Sequence, residues 1–419
     1  AADPFAWWTV SADGRAARAR WYTQLHTHQV IHPPDLPPWN GGTAGIIGYE
    51  IGRSLEQLPR PRWDEFQQSA LAFGLYDTVV AFDHQTDRAW AISQGLPASG
   101  DARRQRAEER MQWLLERLAT EPRPQNALAS EPTLDAAELA PSYATPYGRG
   151  IVSNFSRDAY LLAVERVIKH LRDGDAFQVN LSQRLLARDP GDPVAMYLRL
   201  RERNPAPFGG YLDGGDWRVA SASPERFLSV HDGTVETRPI KGTRPLGPAA
   251  AHDLLGSGKD RAENVMIVDL LRNDLSRVCE DASVEVPSLF ALEEYAHVQH
   301  LVSVVRGRLR NECDIADLLA ATLPGGSITG APKIRAQEII ASLEPTARGA
   351  YCGSLAWVGF PDADGRQAMD SSVLIRTLTH ARGWVQAPVG GGVVVRSDPA
   401  AEYDETWHKA AGLIDAVAT

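Results

Sequence analysis

A short stretch near the middle of the chain, residues 221–247, has the pattern of a β-hairpin with reactive side chains at its ends. Residues 227–230 and 235–240 alternate around an Asp-Gly turn. Glu225 precedes the first strand and Lys241 follows the second. Because the two ends of a hairpin lie together, we expect this acid and this amine to face one point, as a general acid and a nucleophile must. The same pattern also fits a solvent-exposed Glu and Lys beside an ordinary hairpin.

The composition is typical of a soluble globular protein and argues against several classes of partner. The chain has 419 residues, too many for one small core, so we expect two subdomains or one large double-layered domain. No apolar run approaches the roughly 18 residues of a membrane-spanning helix, and the N-terminus does not resemble a secretory signal. A net charge of −10 without a Lys/Arg run argues against nucleic acid and anionic membranes. The three scattered cysteines fit a reducing cytoplasm, so a cytoplasmic location is predicted.

Changes in composition along the chain predict two parts and a linker. Residues 1–118 have mostly β patterns followed by a charged helix. Residues 119–150 hold five prolines among Ala, Ser and Glu, which is typical of a linker or long surface loop. Residues 151–419 alternate helix and strand patterns. In this last part, residues 348–360 and 368–378 are predicted to be paired strands.

Two predicted helices each carry two carboxylates on one face. Asp260 and Glu263 are three positions apart on one helix, and Glu402 and Glu405 are three apart on the closing helix, with Lys409 one turn further. Oxygen ligands of this kind suit Mg²⁺, which takes one or two carboxylates together with water and substrate oxygens. The alternative is that both pairs lie on ordinary solvated helix faces.

Two further features suit a small anion that carries more than one carboxylate. Arg376 interrupts an apolar strand pattern, and a planar guanidinium there needs a partner, either a ligand carboxylate or a buried structural acid. Gly390, Gly391 and Gly392 permit close backbone approach and could donate N–H groups to a second carboxylate. A β-bulge or a turn would explain the same glycines.

An ordered set of motifs resembles the family of chorismate-utilising enzymes. It includes Pro239-Ile-Lys-Gly-Thr243 and the glycine-rich Pro324-Gly-Gly-Ser-Ile-Thr-Gly-Ala-Pro-Lys333. The resemblance covers about residues 155–415, with a weaker likeness before them. The other segments that carry it, in the order of the family, are residues 178–184, 223–227, 262–274, 300–303, 375–377, 390–392 and 402–406.

The resemblance implies an α/β (α+β) fold, an anthranilate-synthase-like complex α/β sandwich of two subdomains with large antiparallel sheets and outer helices. It also implies chorismate as the substrate, Mg²⁺ as the cofactor, and additional N-terminal strands that residues 1–118 do not match. The implied roles fall into three groups. The catalytic group is Glu225, Lys241, Thr243 and His300; the substrate-binding group is Thr329, Trp357, Arg376, Gly390, Gly391, Gly392 and Lys409; the metal-binding group is Asp260, Glu263, Glu402 and Glu405.

Two positions distinguish the branches of this family. In anthranilate synthases, whose motifs are otherwise similar, an alanine stands at the position of Lys241. Aminodeoxychorismate synthases resemble this chain in having a lysine there. Isochorismate and salicylate synthases have a water-activating lysine where this chain has Gln178. The resemblance therefore favours amination of chorismate, with Lys241 attacking ring C2 while Glu225 protonates the departing C4 hydroxyl. A neutral amine is required, so a lowered pKa is expected for Lys241.

The resemblance also implies a partner and leaves alternatives open. No segment resembles a glutaminase, so a separate glutamine amidotransferase subunit is expected to supply ammonia. Anthranilate synthase component I, with the same fold and different regiochemistry, is the second interpretation. A catalytically silent paralogue that binds chorismate-like dianions is the third. Trp357 stands where the family usually has a tyrosine near the substrate, which leaves one hydrogen bond open.

Overall fold

The computed structural model describes residues 2–10, 25–33, 35–120, 133–148, 150–295 and 298–417. No helix among these residues is long and apolar enough to cross a lipid bilayer. The helices described are α1 (Gly52–Leu55), α2 (Gly100–Ala119), α3 (Arg157–Arg172), α4 (Pro193–Arg203), α5 (Pro248–Gly256), α6 (Gly258–Ser276), α7 (Ile315–Thr322), α8 (Lys333–Leu343) and α9 (Pro399–Val417), with single 3₁₀ turns at Tyr49–Ile51, Ala136–Glu138 and Gly326–Ile328.

The strands form two large antiparallel sheets and one hairpin. They are β1 (Ala6–Val10), β2 (Gly42–Ile47), β3 (Leu71–Tyr76), β4 (Thr78–Asp83), β5 (Arg88–Ser93), β6 (Tyr143–Ala144), β7 (Val152–Ser153), β8 (Gln178–Arg188), β9 (Gly210–Asp213), β10 (Trp217–Ser221), β11 (Arg226–His231), β12 (Thr234–Thr237), β13 (Ile240–Pro245), β14 (Glu285–Glu294), β15 (Val298–Arg308), β16 (Gly330–Ala331), β17 (Ser354–Gly359), β18 (Met369–Val373), β19 (Thr377–Ala381) and β20 (Trp384–Val393).

The larger sheet joins strands from distant parts of the chain. Its order is β1-β3-β2-β17-β18-β11-β12-β15-β13, with β14 also paired to β15. The smaller sheet has the order β6-β7-β8-β20-β19-β10-β9, with β16 paired to β8. Because β2 pairs with β17, the larger sheet includes strands from both parts of the chain predicted from composition. The boundary predicted at 119–150 lies partly outside the described residues, and the division remains a prediction.

Three apolar clusters show how the helices and the two sheets are layered. Leu228 on β11 packs in one cluster with Leu271 on α6, so helices cover one face of the larger sheet. Leu181 on β8 packs with Leu413 on α9 in a second cluster, which covers the outer face of the smaller sheet. A third cluster includes Val219 on β10 with residues of β2 and β3, and therefore lies between the two sheets. The result is the predicted α/β sandwich, in which strands are buried on both faces.

One predicted strand is wrong in an informative way. The predicted strand 368–378 is two strands in different sheets, β18 in the larger and β19 in the smaller. The chain crosses from one sheet to the other at residues 374–376, where Arg376 has a φ of +52°. The sequence pattern shows no break because the apolar residues 373–375 lead from the end of β18 into the crossing, and Leu378 follows in β19. Arg376 therefore lies at the junction of the two sheets and not within a strand.

The predicted hairpin at 227–240 is also extended by a second segment. β11 and β12 pair as predicted, but the chain continues as β13, and both β12 and β13 pair with β15. Pro239 separates the two strands, since proline has no N–H for a ladder. Gly242, with a φ of +70°, lies where the register with β15 shifts. Lys241 is consequently inside β13, not just beyond a strand.

Candidate active site

A cavity of about 590 Å³ is lined by residues of both sheets, including β13 of the larger and β20 of the smaller. It brings together thirteen of the fifteen residues predicted for the site. They are Glu225, Lys241, Thr243, Asp260, Glu263, His300, Arg376, Gly390, Gly391, Gly392, Glu402, Glu405 and Lys409. Residues far apart in the chain therefore face one space of a size suited to a small molecule.

Lys241 is held at the cavity wall by a carboxylate on α6. Its Nζ lies 2.9 Å from Oε1 of Glu263, and both side chains are largely buried. The amide of Gln178 donates to the same Oε1 at 3.0 Å. Burial works to lower the pKa of Lys241, but the charges of Glu263, Glu225 and Glu405 raise it above its usual value. The expectation of a lowered lysine pKa is therefore wrong, because nearby carboxylates outweigh burial.

Glu225 is a buried carboxyl group with fixed partners. Its N–H donates to Oγ of Ser223 at 3.2 Å, and its carbonyl accepts from the N–H of Val373 at 3.0 Å. Oε1 accepts from the hydroxyl of Ser327 at 2.9 Å, and the N–H of Ile240 also donates to the carboxylate. Burial raises the pKa of Glu225, although the ammonium of Lys241 opposes the change. A carboxyl group with a raised pKa is suited to donate a proton.

Thr243 and His300 form a polar pair across neighbouring strands. They are opposite each other in the pairing of β13 with β15, and Oγ1 of Thr243 lies 3.0 Å from Nδ1 of His300. Burial lowers the pKa of His300, and the charge of Arg376 acts in the same direction. A neutral imidazole is therefore favoured at this wall of the cavity.

The carboxylates of α9 converge on the glycines of β20. A Cβ placed on Gly391 would lie 3.4 Å from Oε2 of Glu402, 3.4 Å from Nζ of Lys409 and 3.6 Å from Oε1 of Glu405. Nζ of Lys409 lies 2.7 Å from Oε1 of Glu405 and donates to the carbonyl of Gly390 at 2.8 Å. Only glycine leaves this space open to a ligand. The three glycines lie in an uninterrupted ladder with β8, so they form neither a bulge nor a turn.

The four predicted metal-binding carboxylates differ in the hydrogen bonds and ion pairs that they already make. Oε1 of Glu402 accepts from Ser397 at 2.6 Å, and burial raises the pKa of Glu402. Oδ2 of Asp260 lies 3.3 Å from the guanidinium of Arg244. For Glu263 and for Glu405, burial acts to raise the pKa, but a neighbouring lysine lowers it below the usual value. A neighbouring lysine therefore favours the ionised form of both Glu263 and Glu405.

These donors fit a loosely coordinated ion better than a closed protein cage. Among the described residues, no group of three or more His, Cys, Asp or Glu side chains is arranged so that it could hold a metal. The space beside Gly391 lies next to Glu405, and Glu263 lines the same cavity. Each of these carboxylates is paired with a lysine, and two carboxylates match the few protein ligands that Mg²⁺ usually takes.

Arg376 faces the cavity without an acidic partner among the described residues. No ion pair or side-chain hydrogen bond joins it to a described residue, and burial lowers the pKa of its guanidinium. The structural-acid alternative is therefore not met within the described residues. A partly buried guanidinium of this kind is suited to a ligand carboxylate.

Two predicted substrate-binding residues do not line the cavity. Trp357 is on β17, separated from β13 by four strands of the larger sheet, and its ring stacks on Trp39 at 6.1 Å. The aromatic side chain at the cavity is Tyr351, which precedes β17. Thr329 is fully buried, and its hydroxyl donates to the carbonyl of Gly325 at 2.8 Å, so it closes the turn instead of facing a ligand.

Several cavity residues were missing from the sequence prediction. They are Asn180, Lys259, Ser327, Tyr351 and His408. Asn180 could have been found, because strand alternation places it on the same face of β8 as Gln178, and it is opposite Gly392 on β20. Ser327 lies two positions before Thr329 in the same predicted glycine-rich turn, whose conformation the sequence did not specify.

The family model for chorismate binding enzymes matches residues 6–415 of this chain. Aminodeoxychorismate synthase component 1 of Klebsiella aerogenes is 40% identical over 409 residues, which cover 96% of this chain and 83% of the relative. Anthranilate synthase component 1 of Thermus thermophilus is also 40% identical over 409 residues, covering 96% and 82%. The crystal structure of anthranilate synthase component I from Streptococcus pneumoniae matches with a TM-score of 0.82 at 32% identity, covering 99% of this chain and 91% of that one. The chain therefore belongs to the family of chorismate binding enzymes and has an anthranilate-synthase-like fold.

Proposed function

We propose that this chain is the chorismate-aminating component of an aminodeoxychorismate synthase and forms 4-amino-4-deoxychorismate. The observation that carries the proposal is the position of Lys241, a lysine in the wall of the cavity next to Glu263 and within the electrostatic reach of Glu225. Overall similarity does not choose the branch, since relatives of both kinds are 40% identical. The branch therefore depends on whether this amine takes part in the chemistry.

The cavity offers cations and backbone groups for the two carboxylates of chorismate. Arg376 supplies a guanidinium without an acidic partner among the described residues, and a planar fork can bind a carboxylate through two hydrogen bonds. Beyond Gln386, β20 has no pairing with β19, so Gly390–Gly392 present one edge without that neighbour. Lys409 lies beside these glycines. We assign one substrate carboxylate to Arg376. We assign the other to the unpaired edge of Gly390–Gly392, beside the proposed Mg²⁺ site.

Glu263 and Glu405 would hold a Mg²⁺ ion, with Glu402 and Asp260 in supporting positions. Both proposed ligands line the cavity from different helices, and both have lowered pKa values. When bound, Mg²⁺ would supply positive charge to a substrate carboxylate and orient the ring. Lys241 and Lys409, which pair with these carboxylates, also line the cavity where the substrate would bind.

The proposed reaction uses Lys241 and Glu225 twice. Lys241 first loses its ammonium proton to solvent, and the neutral amine then forms a bond to ring C2 while the two conjugated ring double bonds shift and the C4–O bond breaks. The hydroxyl leaves as water with the proton of Glu225. Ammonia then forms a bond to C4 and the C2–N bond to Lys241 breaks, which returns a neutral amine. The incoming nitrogen gives a proton to Glu225, so both residues regain their starting states.

Ammonia is the expected nucleophile, and a second subunit is its expected source. Gln178 stands at the position where isochorismate and salicylate synthases are expected to have a water-activating lysine. In this chain its amide donates a hydrogen bond to Glu263. Relatives of both branches are named component 1. We therefore propose that a glutamine amidotransferase subunit delivers ammonia to this cavity.

Anthranilate synthase component I is the second candidate. The relative from Thermus thermophilus, named for that activity, is as similar as the aminodeoxychorismate synthases. Without participation of Lys241, ammonia would add at C2, and loss of pyruvate would give anthranilate. The two candidates share the cavity and differ in the atom that ammonia attacks.

Product analysis with a lysine variant tests the proposal. Purified protein would be incubated with chorismate, Mg²⁺ and excess ammonium at mildly alkaline pH, and products separated by chromatography with mass detection. We expect 4-amino-4-deoxychorismate from the wild type and a large loss of it for Lys241→Ala. Lys169→Ala is the matched control, because that lysine is 75% exposed and, within the described part of the chain, its ion pair is with the exposed Asp173. Anthranilate from the wild type, or unchanged turnover by Lys241→Ala, would refute the covalent role of Lys241.

A further inference from the structure

The turn before α8 places a hydroxyl group against the buried carboxyl group of Glu225. Ser327 belongs to the 3₁₀ turn Gly326–Ile328 and lines the cavity. Its Oγ donates to Oε1 of Glu225 at 2.9 Å. The two residues are 102 positions apart, so the contact is a product of the fold and not of local sequence.

This turn is held firmly from several sides. Thr329 Oγ1 closes it on the carbonyl of Gly325 at 2.8 Å, and the buried guanidinium of Arg348 donates to the carbonyl of Ile328 at 3.0 Å. A Cβ on Gly326 would lie 2.4 Å from the side chain of Leu270, so the backbone approaches α6 closely. The hydroxyl of Ser327 is therefore presented in one place, which is where a positioning group must be.

The direction of this hydrogen bond decides how Glu225 can act. A hydroxyl that donates to Oε1 favours the tautomer in which Oε1 is the carbonyl oxygen, so the proton of a neutral Glu225 is directed to Oε2. When that proton leaves, the carboxylate becomes negative and the bond from Ser327 becomes charge-assisted and stronger. The bond therefore stabilises the state after proton transfer more than the state before it, which is what accelerates a reaction.

We infer that Ser327 is a positioning residue that orients the proton of Glu225 toward the departing hydroxyl of the substrate and stabilises the resulting carboxylate. The inference rests on the proposed role of Glu225 as general acid. It holds for either product, because both candidate reactions remove the same C4 hydroxyl. Thr329, assigned to the substrate from its motif, instead closes the turn that presents Ser327.

Only a few other groups that titrate or carry charge stand near Glu225. Burial raises the pKa of the thiol of Cys352 to about 12, and it raises the pKa of Tyr351 well above the usual value. Neither group ionises between about pH 6 and 10, where enzymes are ordinarily assayed. The groups that face this part of the cavity from neighbouring elements are Lys241 on β13, His300 on β15, Tyr351 and Cys352 before β17, and Arg376 at the crossing between the sheets.

The test is the pH profile of kcat/KM for chorismate consumption in Ser327→Ala and Ser327→Thr. Glu225 acts while protonated, but the attacking amine must be neutral, and because the pKa of the amine is the higher of the two, Glu225 governs the acid limb of the profile. Removing a donor to the charged form raises the pKa of Glu225, so the acid limb of Ser327→Ala should move up by roughly one pH unit. Its plateau should fall about 10- to 100-fold with KM changed less than about threefold. Ser327→Thr keeps the hydroxyl and should stay within about threefold of wild type with the limb unmoved.

Two further variants keep the outcomes separate. Ser342→Ala on α8 removes a hydroxyl that, among the residues described, donates to the carbonyl of Ile339 alone, so neither limb nor plateau should change. The inference would be overturned if the limb of the Ser327→Ala pH profile stays at the wild-type pH. It would also be overturned if a lower melting temperature alone explains the fall in the plateau of kcat/KM. Glu225→Gln should abolish consumption; if it does not, the general-acid role itself is wrong and the inference falls with the proposed function.

Discussion

Arg376 carries a charge that the described residues do not neutralise, so removing it should help the fold and harm the function. Burial lowers the pKa of its guanidinium, which shows that the folded chain disfavours the charge. Fully burying an unpaired ion costs several kcal/mol, and Arg376 is partly buried, so Arg376→Met should stabilise the free protein by roughly 1 kcal/mol. An unfolding entropy of about 2.1 cal/mol/K per residue makes this a rise of about 1 °C in Tm for a chain of 419 residues.

The order should reverse when ligand is present. Chorismate at about a hundred times its Kd stabilises the wild type by about 2.7 kcal/mol, or about 3 °C by the same entropy. The methionine variant loses a bidentate charge-assisted contact worth about 3 kcal/mol, so its kcat/KM should fall about 100-fold and ligand should no longer raise its Tm. Arg376→Lys keeps the charge without the fork and should lie between the two.

The assay is thermal unfolding with and without chorismate, in the absence of ammonium, together with steady-state kinetics. Arg366→Met is the matched control, because that side chain is 66% exposed and pairs with an exposed Asp364. It should change neither Tm nor kcat/KM measurably. A free Arg376→Met protein that melts lower than wild type, or one that retains its KM, would refute the assignment of Arg376 as a cation reserved for a ligand.

Two other predictions concern substitutions at residues that contact a buried polar side chain. Gly392→Ala should lower kcat/KM at least about tenfold, because its Cβ would lie 1.8 Å from Nε2 of Gln178, whereas Gly256→Ala, with open space around it, should leave kinetics and Tm nearly unchanged. Arg348→Met should lower the free energy of unfolding by about 3–5 kcal/mol in guanidinium titrations, since it leaves Glu344 buried without its bidentate partner. Loss of less than about 1 kcal/mol would show that Glu344 is compensated by other groups.

The sequence predicted elements well where local chemistry defines their ends. Ser156 caps α3 as expected, with its Oγ accepting from the N–H of Ala159, and Gly174 follows that helix with a φ of +84°. The helix predicted from its carboxylate spacing is α6, and the closing helix is α9. These predictions succeed because caps, glycine conformations and helical periodicity act over a few residues.

The errors share a different cause. The crossing at residues 374–376 contains no glycine or proline to mark it, and its apolar Leu374 and Ile375 follow directly on Val373 at the end of β18. The motif containing Thr329 was recognised, but only the geometry of the turn decides that Ser327 faces the cavity. The pKa of Lys241 depends on carboxylates contributed by α6, α9 and the segment after β10. Each quantity depends on distances between remote segments, which motif order alone does not supply.

The pairing of β2 with β17 also has a consequence for how the chain is made. Ile47 pairs with Ser354, so β2 leaves the ribosome long before its partner strand exists. Until then β2 and β3 form a ribbon of apolar residues with an unsatisfied edge, which is a template for pairing with other chains. Closing such a distant contact is also slow, because the entropy of a long loop must be overcome first. Nascent chains of this protein should therefore depend on chaperones until β17, which ends at Gly359, has emerged, and release of truncated chains should lead to aggregation.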